Sequence, residues 1–225
     1  VIDVGINRVK ELDALGNQYE SPAAWSPEQL LEPMSHRVSV SIEGRQVQLK
    51  AWRYQLRGIG DDIVPIYFLD SAVPENSQWD QTLTDYLYGG DDRYRLCQEA
   101  VLGFGGVALL RALGYDEVQA YHMNEGHSAL LALALLEEEM KRRGTVELSP
   151  EAIEAVRRRC VFTTHTPVPT GQDKFPLNLV RQVLGDEPTR RIAEARCCLD
   201  DVLNMTYLGL YFSRYVNGVS MRHED

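Results

Sequence analysis

The 225 residues read as a single α/β domain with a β-hairpin excursion. Residues 38–51 alternate apolar and polar in two runs around Glu43-Gly44, and from Val118 onward strand-like and helix-like stretches take turns. A 44% hydrophobic content is enough to fill one large core. Strands separated by helices favour a parallel sheet, because parallel neighbours need a crossover connection.

Taken in order, the first 35 residues hold Gly5, Gly16, Pro22, Pro27 and Pro33, which predict irregular structure around at most a short helix. Val38, Val40 and Ile42 then share one face of a strand, and Val47, Leu49 and Ala51 one face of the next. Residues 63–69 are continuously apolar and predict a buried strand ended by Asp70. A long polar loop over 71–92 includes a helical piece near 82–87 and closes on Gly89-Gly90-Asp91-Asp92; loops of this length in compact domains are usually functional.

Residues 94–113 have helical spacing interrupted by Gly103, Gly105 and Gly106. Each such glycine costs a helix about 1 kcal/mol, so a close contact with a neighbouring element is the expected reason for them. Beyond Gly114 the pattern predicts a strand at 118–122, helices at 128–143 and 150–159, and a strand at 160–164. Helices at 177–184, 189–199 and 203–215 complete the reading.

Composition excludes several function classes. With 33 acidic and 23 basic residues the formal charge is -10, which repels phosphate backbones and anionic lipid, so neither nucleic acid nor membrane is an expected partner. The runs Lys141-Arg142-Arg143 and Arg157-Arg158-Arg159 close predicted helices, where cations are favoured. Cys97, Cys160, Cys197 and Cys198 show no paired framework, and two are adjacent, so reduced thiols and a cytoplasmic protein are expected. The five histidines give no zinc spacing beside them, and no metal site is expected. No signal-peptide layout opens the chain and no apolar run reaches the roughly 18 residues of a membrane span. Val1 in place of methionine and the abrupt end at Asp225 suggest a piece of something longer.

Ligands of open α/β sheets bind beyond the carboxyl ends of the strands. The run His122-Met123-Asn124-Glu125-Gly126-His127 follows one predicted strand, and its polar groups either cap and pack the next helix or line a site. Thr163-Thr164-His165-Thr166-Pro167-Val168-Pro169-Thr170-Gly171 follows another. Hydroxyls and an imidazole on a proline-stiffened loop suit a sugar, although a rigid turn around a satisfied histidine fits the same residues. No nucleophile, base and acid set is evident. The carboxylates of Asp91 and Asp92 disfavour phosphate at the adjacent glycines and leave a sugar-facing loop as the better reading.

Together these segments resemble the α-glucan phosphorylase family, notably its shorter bacterial and archaeal type. The resemblance runs through Pro65-Ile66-Tyr67-Phe68-Leu69-Asp70, Pro74-Glu75-Asn76, Leu87-Tyr88-Gly89-Gly90-Asp91, Gln98-Glu99, Leu102-Gly103-Phe104-Gly105-Gly106, residues 122–127 and residues 162–175. Asn204-Met205-Thr206, Ser213-Arg214 and Val216-Asn217-Gly218-Val219-Ser220 continue it. It implies the Rossmann-like N-terminal half of a two-domain GT-B glycosyltransferase fold, whose C-terminal cofactor domain is absent from these residues.

The family resemblance also implies phosphorolysis of terminal α-1,4-linked glucose to glucose 1-phosphate with retention. Pyridoxal phosphate then serves through its phosphate group, and its attachment lysine falls outside these residues. Residue by residue, His165 is the implied catalytic residue beside the transferred glucose. Asp91, Glu125, His127 and Thr166 are the implied substrate-binding residues, Thr166 in support of His165. The glucan and inorganic phosphate are the implied substrates, and the chain by itself is expected to be inactive.

Departures from the family pattern are Gln172 where histidine is frequent, Arg222-His223-Glu224-Asp225 in place of Leu-His-Gly-Glu, and a poorly matching first 35 residues. Nucleotide-sugar-dependent glucan synthases share the architecture, but typically place His-Asp-Trp at the turn where this chain has Asn124-Glu125-Gly126-His127. A non-catalytic glucan-binding module is a further alternative. Half a cleft would expose surface that its other half covers, so self-association to a homodimer is also an expectation.

Overall fold

The structure, a computed structural model, describes residues 2–3, 8–22, 26–86, 90–165, 173–195 and 197–219. It is a mixed α/β arrangement with a parallel sheet. The element order begins β1 (Ile2–Asp3), β2 (Arg8–Leu12), β3 (Gln18–Pro22), α1 (Pro27–Leu30), β4 (Glu32–Ile42), β5 (Arg45–Arg57) and β6 (Ile63–Asp70). It continues α2 (Gln78–Gln81), α3 (Asp92–Ala100), a π-helical segment (Val101–Gly105), α4 (Gly106–Ala112), β7 (Tyr121–Asn124), α5 (Leu130–Arg143), α6 (Pro150–Arg157) and β8 (Cys160–Thr164). Then come β9 (Lys174–Pro176), α7 (Leu177–Leu184), α8 (Asp186–Glu194), β10 (Cys198–Leu199), β11 (Val202–Asn204), α9 (Met205–Tyr211) and β12 (Tyr215–Gly218).

The predicted hairpin forms, and it is longer than its apolar core. β4 and β5 pair antiparallel around Glu43 and Gly44, both with positive φ (50° and 75°), the backbone that a two-residue turn of primed type requires. The turn is pinned from three sides. Glu43 N–H donates to the Val183 carbonyl at 2.8 Å, and its carboxylate accepts from Arg93 Nε at 2.6 Å and Arg45 Nη1 at 2.6 Å. Hydrogen bonds from Arg93, then Arg45 and Gln182, outweigh partial burial and hold the Glu43 carboxyl at about 2. Arg93 also stacks on Trp79 at 4.2 Å from the ring centre, which ties the start of α3 to this turn.

β6 and the short β1 extend the hairpin into a four-stranded sheet ordered β1-β6-β5-β4. β6 differs from the buried strand expected. Ile63 and Val64 are exposed and only Tyr67 and Leu69 are buried, because the far ends of β5 and β6 run past the helices that cover the rest.

The glycines of residues 94–113 serve the role their cost implies. The helical axis is continuous from α3 through the π segment into α4, and the π segment is wedged between two layers. A Cβ on Gly103 would lie 2.7 Å from the backbone of Leu130 and Leu131, and one on Gly105 2.8 Å from Leu49. The sheet therefore packs on one side of this segment and α5 on the other. α5 itself ends at Gly144, in the left-handed conformation at φ 68°, as the sequence implies.

The parallel sheet has the order β12-β8-β7, with Asn124 level with Thr163 and Thr163 level with Asn217. Its middle strand buries Phe162 completely, and α9 closes on that ring through Gly209, where a Cβ would stand 2.5 Å from it. Strand ends and helix starts on this sheet define the mouth described below.

Several elements fall elsewhere than expected. Residues 8–22 form a hairpin, not irregular chain: Asp13 accepts from Asn17 N–H at 2.8 Å and Leu15 N–H at 2.9 Å and so builds the turn from a side chain. The strand expected at 118–122 is β7 at 121–124, and the helix expected near 82–87 is α2 at 78–81, capped by Ser77. The helix at 189–199 starts at Asp186 and gives way to β10. The run 203–215 divides into the end of β11, α9 and the start of β12, because the Asn204 side chain accepts from Thr206 N–H and Tyr207 N–H and starts the helix there.

Replacing Gly103 by alanine gains about 1 kcal/mol of helix propensity but forces a Cβ into fixed backbone, an overpacking cost of about 1–3 kcal/mol. The contact at 2.7 Å involves main chain on the far side, so the upper end applies. Gly103→Ala is expected to lower stability by about 2 kcal/mol, read as a lower urea midpoint at unchanged slope.

Candidate functional site

The carboxyl ends of β7, β8 and β12 bring polar side chains together through one hydroxyl. Thr163 donates to Asn217 Oδ1 at 2.8 Å and lies 2.7 Å from His122 Nε2. A hydroxyl has one proton to give, so His122 donates from Nε2, and a single chain of hydrogen bonds crosses all three strands.

One residue further along, the chain turns sharply. Glu125 has φ 82° and ψ 166°, a conformation that costs a non-glycine residue of order 1–3 kcal/mol. Its surroundings fix it there. Its N–H donates to the Thr163 carbonyl at 2.8 Å, and its own carbonyl accepts the Ser128 hydroxyl at 2.8 Å. The Glu125 carboxylate accepts from Gly126 N–H at 3.0 Å and from His165 N–H at 2.6 Å, with the Thr164 hydroxyl at 3.4 Å from both oxygens.

His165, exposed at the end of β8, is thus held by its backbone on Glu125 and by its ring on Asn124, whose Oδ1 lies 2.5 Å from Nε2. An amide oxygen only accepts, so Nε2 carries the proton of this bond, the tautomer in which Nδ1 is the acceptor. Gly126 lets this turn approach α9: a Cβ there would stand 3.1 Å from Thr206 N and 3.2 Å from the Met205 side chain.

His127 follows on a single 3-10 turn and is half-buried. Burial, then the positive charge of Arg95, moves its pKa below the ordinary 6.5, and Asp173 and Glu125 oppose this only in part. Arg95 on α3 grips Asp173 with two bonds, Nε to Oδ1 at 3.3 Å and Nη2 to Oδ2 at 2.9 Å. Asp173 in turn accepts Met205 N–H on its carbonyl at 3.0 Å.

Of the residues singled out from sequence, His165 and Glu125 are in direct contact, and His127 lies within their electrostatic reach. Asp91 caps α3, accepting Tyr94 N–H at 2.9 Å, one turn before Arg95. Thr166 lies outside the described residues. Asn124 and Thr163 stood in the two segments singled out but were given no role of their own, and Asn217, Arg95 and Asp173 were not among the candidates. The signal for Asn124 was present, since an amide directly before Glu125 at a strand end is placed to orient the next strand's histidine. Among the described residues no cluster of three His, Cys, Asp or Glu is placed to hold a metal, and no helix is long and apolar enough to cross a membrane. Cys97, Cys160, Cys197 and Cys198 are free thiols.

No protein-family model matches the chain. It is similar, at 37% identity over 229 residues, to the maltodextrin phosphorylase of Thermococcus litoralis, an alignment covering 95% of this chain and 26% of that protein. The glycogen phosphorylase of Mycobacterium tuberculosis is 37% identical over 177 residues, 71% of this chain and 20% of that one. That of Aquifex aeolicus is 34% identical over 170 residues, 71% and 24% respectively. The chain spans about a quarter of the length of these curated relatives.

A histidine with a lowered folded-state pKa binds fewer protons than in the unfolded chain, so it stabilises above about 6.5, and that stability is lost as pH falls through the folded value. His127 is expected to titrate below 6.5 by NMR. His127→Gln should unfold with a weaker acid dependence than the parent sequence.

Proposed function

We propose that this chain, related to the α-glucan phosphorylases over most of its length, supplies the sugar-contacting wall of a phosphorylase cleft. In this reading it is the Rossmann-like first half of a GT-B fold, facing a second domain that holds phosphate and the pyridoxal phosphate cofactor. The reaction is the removal of a terminal α-1,4-linked glucose from a glucan as glucose 1-phosphate, with retained configuration. A phosphate oxygen replaces the glucan oxygen at the anomeric carbon, and the departing glucan oxygen takes up the proton that phosphate releases.

The observation that carries this reading is the double hold on His165: its ring on Asn124 and its backbone N–H on Glu125. Sugars are recognised by neutral groups at fixed positions, and a neutral imidazole with its proton pinned on Nε2 offers Nδ1 to a sugar hydroxyl in one orientation. The His165 carbonyl then faces the anomeric carbon, where a fixed dipole stabilises the positive charge that develops as the glycosidic bond lengthens. Glu125 and His127 border the neighbouring glucan subsites and Asp91 the rim, with Thr166 supporting His165. The roles are positioning and electrostatics, with no nucleophile among them.

The lysines whose side chains are described do not fit the cofactor. Lys50 is paired with Asp70, Lys141 stands in the last turn of α5 and Lys174 is exposed on β9, so none is the secluded amine that the cofactor's carbonyl requires.

The test is an assay of the intact protein bearing this sequence, with maltodextrin and inorganic phosphate. Glucose 1-phosphate is the expected product, and Asn124→Ala should lower kcat by about 10- to 100-fold through a misoriented His165. Glucan extension from a nucleotide sugar, with no phosphorolysis, would replace the reading by that of a synthase. Turnover by the 225-residue chain alone would overturn the shared cleft.

A further inference from the structure

Helix α3 carries a buried carboxyl that the proposed chemistry does not use. Glu99 is 2% exposed, and among the described residues neither of its oxygens has a hydrogen-bond donor. Arg95, one turn earlier, comes within 3.3 Å of one oxygen, yet its Nε and Nη2 hydrogens are directed at Asp173. Arg95 and Asp173 already neutralise each other. An ionised Glu99 would be a second anion against a satisfied pair, desolvated and without a donor, which is a costly arrangement in a protein interior.

A proton removes the conflict. As an acid Glu99 becomes a donor, and the acceptor beside it is Asp173, gripped by the same Arg95 that comes within 3.3 Å of Glu99. We propose that Glu99 is a positioning residue held as a neutral acid, its proton shared with Asp173 so that α3 is latched to the chain leading into β9. The latch continues to the mouth: Asp173 accepts Met205 N–H, and Gly126 packs against Met205 and Thr206 directly below Glu125 and His127. Neutral Glu99 also leaves the charge of Arg95 to act on His127.

The groups that act on Glu99 agree in sign. Burial and then the Asp173 charge push its pKa well above the ordinary carboxylate range, and Arg95, on its own helix, opposes them only in part. His127, on the turn after β7, feels Arg95 and Asp173 in its turn. An acid whose folded pKa is raised holds its proton in the native state after the unfolded chain has lost it. Its contribution is therefore complete at low pH and is lost as pH rises through the folded value. This is opposite in sign to the His127 effect.

The experiment follows side-chain carboxyl carbons by NMR in the 225-residue chain, from about pH 5 to about pH 8. Glu99, assigned through its own side-chain connectivities, is expected to remain protonated where ordinary glutamates have ionised. Assignment also separates it from Glu137, whose carboxyl burial likewise raises. In Glu99→Gln, whose amide can donate to Asp173, the His127 titration midpoint should be unchanged, and the melting temperature should gain on the parent sequence as pH rises. A Glu99 carboxyl that titrates with the ordinary glutamates overturns the proposal. So does a His127 midpoint that falls in the variant, because that would mean an anion had been removed. Should the variant fail to fold, an amide cannot stand in for the acid and the shared proton is likewise excluded, while the carboxyl spectrum of the parent chain still decides the protonation state independently.

Discussion

The approach of the π segment Val101–Gly105 to two layers at once is the constraint on which the remaining geometry rests. Leu130 and Leu131 press their backbone against Gly103, while Leu49, Leu69 and Val40 close on Gly105 from the sheet. No side chain larger than hydrogen fits at Gly103. The consequence reaches the mouth, because the same axis fixes α3, which carries Arg95, and sets the start of α5, where the turn of Glu125 and His127 ends. A shift of the π segment would move the Arg95–Asp173 pair, whose two charges act in opposite senses on the His127 imidazole.

The second layer of organisation is lateral. Three parallel strands reach the mouth in register, and Thr163 in the middle strand bonds to its neighbours on both sides. That ladder supports a strained Glu125, and the strain is tolerated because four separate groups fix it: the Thr163 carbonyl, the Ser128 hydroxyl, Gly126 N–H and His165 N–H. Strain at one residue is the local cost of pointing a carboxylate across to the next strand end.

Local pattern was enough to read the β4–β5 hairpin, α5 with its Gly144 stop, β8 and the turn at 122–127. Each is specified by residues within a few positions of one another: an alternation, a capping glycine, a short β-branched run. What escaped depends on partners far away in sequence or on single side chains. The turn of the first hairpin is made by the Asp13 carboxylate, with little alternation to announce it. β12 was not foreseen, since the helical reading ran to Tyr215 and stopped before Asn217-Gly218, and it is a strand only through pairing with β8, more than fifty positions earlier. The grip of Arg95 on Asp173 spans 78 positions. Asn124 and Glu125 stood in a segment already suspected, whereas nothing adjacent to Glu99 marks it as the carboxyl that a folded core would isolate.

The site then poses a question of what one carboxylate can do. Glu125 accepts from Gly126 N–H and His165 N–H, with the Thr164 hydroxyl at longer range, yet a carboxylate has about four lone-pair positions. Two backbone N–H groups, of Gly126 and His165, reach this one carboxylate, and Arg95 is paired with Asp173. Glu125 is thus the residue that both closes its own turn and places the His165 backbone. One carboxylate shapes the loop that a sugar bound there would meet.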